Sequence, residues 1–191
     1  MGTRISFFGG PGSGKSTLAA RVFAEMKMRG TDVELVTEYV KQMAYEGRKP
    51  QGYDELFIFA KQIHREELAL RHVPVIVTDC PPLMCVTYAR ALGFPCWQSL
   101  MGVADEWDAT HKSLNFFIER TVPYKPDGRF QTEEKANEVA DDIRGMIHSQ
   151  IDYKTIRFMG GVGTYRTLAP DGSIPTFSVL MDVIYKDLPT T

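Results

Sequence analysis

Apolar residues follow two alternating rhythms along the chain. Short dense runs rich in strand formers occupy residues 4–8, 33–37, 74–78, 114–118 and 155–159. The run at 74–78 is continuously apolar, as in a parallel strand buried on both faces. Between these runs the spacing becomes helical. Residues 15–29 place Leu18, Val22, Phe23 and Met26 on one stripe, and Gly30 supplies a C-terminal stop. Residues 53–72 predict a long amphipathic helix with Leu56, Phe59, Ile63 and Leu70 among its buried positions. Further helices are expected at 82–92, 95–109 and 133–149. Strands alternating with helices imply right-handed crossovers and a parallel sheet covered on both faces, a three-layer α/β fold.

Two stretches break the rhythm. Residues 121–132 are rich in proline, glycine and charge and read as a loop. From Gly160 onward come Gly161, Gly163, Pro170, Gly172 and Pro175, then a strand-like run at 177–185. This tail reads as a small C-terminal β appendage, with a turn at Pro170-Asp171-Gly172. The organisation expected is one domain over 1–191, with its core at about 4–159 and the appendage at about 160–191.

Composition narrows the class. A chain of 191 residues can bury a core without disulfides or a structural metal, and 43% apolar with 24% charged residues is a globular balance. A net charge of -2 argues against broad electrostatic attachment to nucleic acid, which needs a basic face. Cys80, Cys85 and Cys96 lack the spacing of a zinc or redox pair and read as reduced, buried thiols. No apolar run approaches the ~18 residues that cross a bilayer, and no secretory leader is apparent, so a cytoplasmic protein away from membranes is expected. The four histidines show no useful ligand spacing, and Trp97 and Trp107 read as helix packing.

The chemistry concentrates in Gly9-Gly10-Pro11-Gly12-Ser13-Gly14-Lys15-Ser16-Thr17, which matches G-x-x-x-x-G-K-[ST] between a strand and a helix. Glycines let successive backbone N–H groups turn toward phosphate oxygens, and the helix adds its positive end. Lys15, read as an exposed loop lysine, reaches the β- and γ-phosphates of ATP, and Ser16 supplies an oxygen to Mg²⁺. Gly9, Gly10, Gly12, Ser13, Gly14 and Thr17 complete the cradle.

Other residues must name the reaction. Asp79 directly follows an apolar strand, so it lies at the sheet edge where ligands of open α/β sheets bind. It can orient a metal-bound water or accept a proton from an attacking hydroxyl; alternatively it caps the next helix. Glu38 ends the second strand over the same edge and can hold or deprotonate an acceptor hydroxyl, or else is a solvated acid. Arg120, Lys125 and Arg129 sit in the loop after the fourth strand, suited to closing over a transferring phosphoryl group; a solvated loop with scattered charge is the plainer reading.

With these residues in place, the chain resembles the P-loop nucleoside and nucleotide kinases, and most of all their ribosylnicotinamide kinase-like branch, common among phage and bacterial small kinases. The resemblance rests on residues 9–17, Thr37-Glu38-Tyr39, Asp79-Cys80-Pro81-Pro82 with Tyr88-Ala89, and residues 123–129, and it spans about 4–159. It implies a sheet in the order 2-3-1-4-5, ATP with Mg²⁺, a second substrate between the second and third strands, and a lid over the basic loop. Gln62 falls where such kinases often place a base-reading amide. Cys80-Pro81-Pro82 stands where many nucleotide kinases carry a basic residue, which argues against a simple thymidylate kinase. The expected activity is ATP-dependent phosphoryl transfer to a nucleoside, nucleotide or related small acceptor. Two alternatives stay open: a hydroxymethylated base in phage DNA as acceptor, and a regulatory ATPase that transfers phosphate only to water. Nucleic acid is possible as a partner without being favoured, and a homodimer is left open.

Overall fold

The computed structural model of the chain describes residues 2–121, 123–124, 132–157 and 176–188. Five strands form one parallel sheet: β1 (Thr3–Phe8), β2 (Val33–Val36), β3 (Val75–Thr78), β4 (Lys112–Ile118) and β5 (Lys154–Ile156), in the order β2-β3-β1-β4-β5. Every pairing is parallel. This is the order that the resemblance implied. The β1-to-β2 crossover runs one way across the sheet and every later crossover runs the other way, so the carboxyl end of β1 lies at the switch point, where such sheets bind ligands.

Side-chain alternation divides the core in two. Ile5 and Phe7 of β1 and Phe116 and Ile118 of β4 face α1 (Lys15–Met28), through Leu18, Val22 and Met26. Phe8 and Phe117 face the opposite layer. That layer is built from α2 (Val40–Tyr45), α3 (Asp54–Leu70), α4 (Pro82–Ala91), α5 (Trp97–Ala109) and α6 (Glu133–Gln150). All these helices except α2, which is only six residues long, match the periodicity of the sequence.

Two expectations need correction. The run at 177–185 is no strand: Phe177–Asp187 is a helix, α7. Its composition is β-branched and aromatic, but Phe177, Leu180, Met181 and Ile184 recur at helical spacing and are buried against the α1 face. The Thr176 side chain caps it by accepting from the Val179 N–H at 3.2 Å. The segment is thus part of the main core rather than a β appendage; the turn at 170–172 lies outside the described residues. Second, Leu56 is exposed, and the buried stripe of α3 runs through Glu55, Ile58, Phe59, Gln62 and Glu66.

Candidate functional site

The turn from β1 into α1 builds an anion cradle out of backbone. Gly9 has φ of +147°, and a Cβ there would lie 2.7 Å from both the Ile118 carbonyl oxygen and Ser13 Oγ. Gly14 precedes the helix in the left-handed region, at φ of +91°, with no side-chain cap over the first N–H groups. These positions therefore select glycine, and the uncapped helix start leaves its donors facing the cradle. Ser13 is buried, and its Oγ has no hydrogen-bond partner among the described residues.

Lys15 is buried, contrary to the exposed loop lysine expected from sequence. Its Nζ donates to the Gly9 and Gly10 carbonyls at 2.7 and 3.1 Å. Burial holds its pKa below the ordinary lysine value, while Glu38, Cys80 and Asp79 pull it back up.

Asp79 follows β3 and is 1% exposed. Its Oδ1 accepts from the Glu38 backbone N–H at 2.7 Å, which ties the end of β2 to the end of β3. It does not cap α4, which has Pro81 at its N-cap and no side-chain cap. Lys41, on the first turn of α2, donates to Ser16 Oγ and lies 3.5 Å from Asp79 Oδ2. One cation thus bridges the two residues expected to serve a metal. The donor set suits Mg²⁺, since a hydroxyl and a carboxylate, both hard oxygen donors, converge on a single cationic point. Among the described residues no group of three or more His, Cys, Asp or Glu could form an all-protein metal cage.

Glu38 is partly buried beside this cluster. Desolvation raises its carboxyl pKa, Lys15 opposes the rise, and Asp79 adds to it. Glu55, buried on α3, is pushed up to about 7, mainly by burial and then by the charge of Glu38. Gln62 is fully buried; its Oε1 accepts from the Tyr39 N–H at 3.2 Å, and its Nε2 has no partner among the described residues. The structure thus gathers Lys15, Ser16, Glu38 and Asp79 at one point and links Gln62 to the segment carrying Glu38. Thr17 is exposed on the first turn of α1.

Arg120 stands apart from that cluster. It lines a cavity of about 440 Å³ with Gly10, Pro11, Ser13, Asn137 and Arg144. Its Nη2 donates to Asn137 Oδ1 and lies 3.4 Å from Glu133, while its buried Nη1 has no partner among the described residues. Helix α6 closes against the cradle here: a Cβ on Gly10 would fall 2.4 Å from the Ala140 Cβ. Lys125 and Arg129 lie outside the described residues.

Sequence reasoning missed Lys41 and Glu55. Lys41 had no local signal, since Glu38 lies in the loop before α2 and the meeting of Lys41 with Ser16 and Asp79 depends on how α2 packs over the sheet edge. Glu55 had little, because an acid in a first helical turn ordinarily serves the helix dipole. The described helices include none long and apolar enough to cross a membrane.

A family model described as an AAA domain, AAA_28, matches residues 4–162. A search of curated proteins finds no match. Among solved structures, thymidylate kinase from Ehrlichia chaffeensis is similar, with a TM-score of 0.56 at 16% identity, covering 99% of this chain and 100% of that one. A NadR protein solved in complex with NR gives a TM-score of 0.64 at 15% identity; the match covers 100% of this chain but 52% of NadR, so the chain spans about half its length. Deoxyadenosine kinase from M. mycoides gives 0.55 at 14% identity, over 81% of this chain and 90% of that one. At these identities the likeness is one of fold.

Proposed function

The chain belongs to the AAA domain family AAA_28, and from that premise we propose that it is an ATP-dependent kinase whose acceptor is a nucleoside, a nucleotide or a related small molecule. The observation that carries this reading is the buried Asp79 carboxylate, which shares one cation with Ser16 at the mouth of the cradle and is tied to the Glu38 backbone. A cradle alone fits any nucleotide-binding protein. An acid pair beside it adds a place for a second reactant.

In this reading the backbone N–H groups of residues 14–17 at the start of α1 and the Lys15 ammonium hold the triphosphate. Ser16 and Asp79 would hold Mg²⁺, which would supply positive charge to neutralise the phosphate oxygens. Glu38 orients an acceptor hydroxyl and draws its proton, and its raised pKa brings it nearer the range of an effective base. Gln62 Nε2 offers a buried donor for an acceptor base. Arg120 brings its Nη1, which has no partner among the described residues, to the phosphates from the α6 side, and Lys125 and Arg129 would add their charge to it. Most of the rate enhancement then comes from positioning and electrostatics.

The acceptor side carries two buried or partly buried acids, Glu38 and Glu55, which favours an acceptor presenting hydroxyls over one presenting a phosphate. The resemblance to the ribosylnicotinamide kinase-like branch points the same way. Product analysis with γ-labelled ATP tests the reading against nucleosides, nucleoside monophosphates and short single-stranded DNA. Label on a nucleoside is expected, with Glu38→Gln raising the acceptor KM more than the ATP KM. Label on DNA alone would transfer the assignment to a polymer kinase, and label only in free phosphate would make the protein an ATPase.

A further inference from the structure

The cation that bridges Ser16 and Asp79 belongs to the protein itself. Lys41 comes from α2, a helix of six residues with no side-chain cap and one buried residue, Met43. Its side chain is 41% exposed, whereas Asp79 is 1% exposed. The carboxylate is therefore fixed and the ammonium is the part that can leave. Without a cation, Asp79 would keep a buried charge balanced by one short backbone hydrogen bond from Glu38 and by the field of Lys15. Burying a carboxylate so sparsely paired is unfavourable, so the slot demands a positive charge at all times.

We propose that Lys41 is a built-in occupant of the metal slot, holding Ser16 and Asp79 in the empty protein and excluding free divalent cations until Mg²⁺ arrives with the nucleotide. Two features make the exchange one-for-one. Lys41 donates to Ser16 Oγ and faces Asp79 Oδ2, the same two oxygens a metal would use, so ammonium and metal cannot both occupy the point. Met43 and Val40 pack short α2 against the core, while the Lys41 side chain is already 41% exposed on a flexible stem, so swinging its ammonium into solvent disturbs little of that packing. The consequence is ordered loading: divalent metal alone competes poorly with a tethered ammonium, while metal–nucleotide brings additional contacts from the cradle and displaces it.

This inference rests on the nucleotide-site reading but not on the identity of the acceptor. Its test is Mn²⁺ binding without nucleotide, followed by electron paramagnetic resonance. Wild-type protein should bind free Mn²⁺ weakly, and Lys41→Met should bind it at least about tenfold more tightly. Lys41→Gln should behave like Lys41→Met, which guards against a packing defect in either variant. Lys41→Arg, which keeps the charge, should stay close to wild type. Adding Asp79→Asn to Lys41→Met should remove the gained affinity. Equal Mn²⁺ affinity in wild type, Lys41→Met and Lys41→Gln would overturn the proposal. A fluorescent ATP analogue separates the two readings: if it binds normally while Mn²⁺ affinity is unchanged, only the role of Lys41 falls; if it fails to bind wild type, the nucleotide site falls with it.

Discussion

At the turn between β1 and α1, the groups that face a ligand are backbone N–H donors, fixed by glycines at positive φ and by the start of a helix. At the neighbouring edge, formed by the ends of β2 and β3 with α2 and α3, they are side chains: Glu38, Lys41, Glu55, Gln62 and Asp79. Backbone reads only charge and shape, and every nucleoside triphosphate presents the same phosphates. Side chains differ in charge state, reach and hydrogen-bonding pattern, so they can choose an acceptor. The first region thus explains what the protein shares with other phosphate-binding folds, and the second what sets it apart. Titration sharpens the contrast: the backbone N–H donors do not ionise near neutral pH, whereas Glu38 and Glu55 both have raised pKa values.

The largest effect should come from the one side chain that serves the backbone-built region. Lys15→Ala removes the ammonium proposed to meet the phosphates and should lower turnover roughly a thousandfold. Because Lys15 is a buried charge at a depressed pKa, the variant should still unfold cooperatively at or above the wild-type temperature, which circular dichroism will read. Asp79→Asn comes next. It keeps the shape and the Glu38 hydrogen bond but loses the charge, and turnover should fall about a hundredfold or more in a steady-state assay.

Glu55 tests the titratable side of the contrast through stability. Its folded pKa of about 7 lies above the ordinary glutamate value. The native state therefore holds a proton that the unfolded chain releases, and stability falls as pH rises from the unfolded pKa to about 7. Between pH 5.5 and 8 this carboxyl should cost about 2 kcal/mol. Glu55→Gln should flatten that slope and be more stable than wild type at pH 8, by denaturant titration at the two pH values. An unchanged slope would show that Glu55 is solvated.

A smaller effect is expected at Arg120, on the far side of the cradle. Arg120→Ala should lower kcat about tenfold while leaving ATP affinity nearly unchanged, since the contact strengthens as charge shifts in the transition state. Arg120→Lys should recover part of the loss, because a point charge cannot reproduce a planar fork. Equal losses in kcat and ATP affinity would place Arg120 in ground-state binding instead.

The two regions were unequally legible in the sequence. The cradle is contiguous, and its glycine spacing follows from local backbone geometry, so Gly9 through Thr17 could be identified by reading along the chain. Asp79 and Glu38 were legible too, because ligands gather at the carboxyl ends of parallel strands. Lys41 and Glu55 were not, since their importance depends on where α2 and α3 pack over the sheet edge. The buried stripe of α3 shows the same limit: Gln62 and Glu66 occupy positions that hydropathy assigns to apolar residues, while Leu56 is left outside. Helix α7 was misread because its β-branched and aromatic residues resemble a strand, although the spacing of Phe177, Leu180, Met181 and Ile184 carried the right period.

The central claim is that the terminal phosphoryl group leaves ATP for an acceptor held at the side-chain-built edge. Its most direct test is the partition of label from γ-labelled ATP between acceptor and water, followed as acceptor concentration rises. The account predicts that ADP formation accelerates with a nucleoside acceptor and that most label appears on it, in step with ADP. Label appearing only as free phosphate, at a rate indifferent to every nucleoside and nucleotide offered, would contradict it.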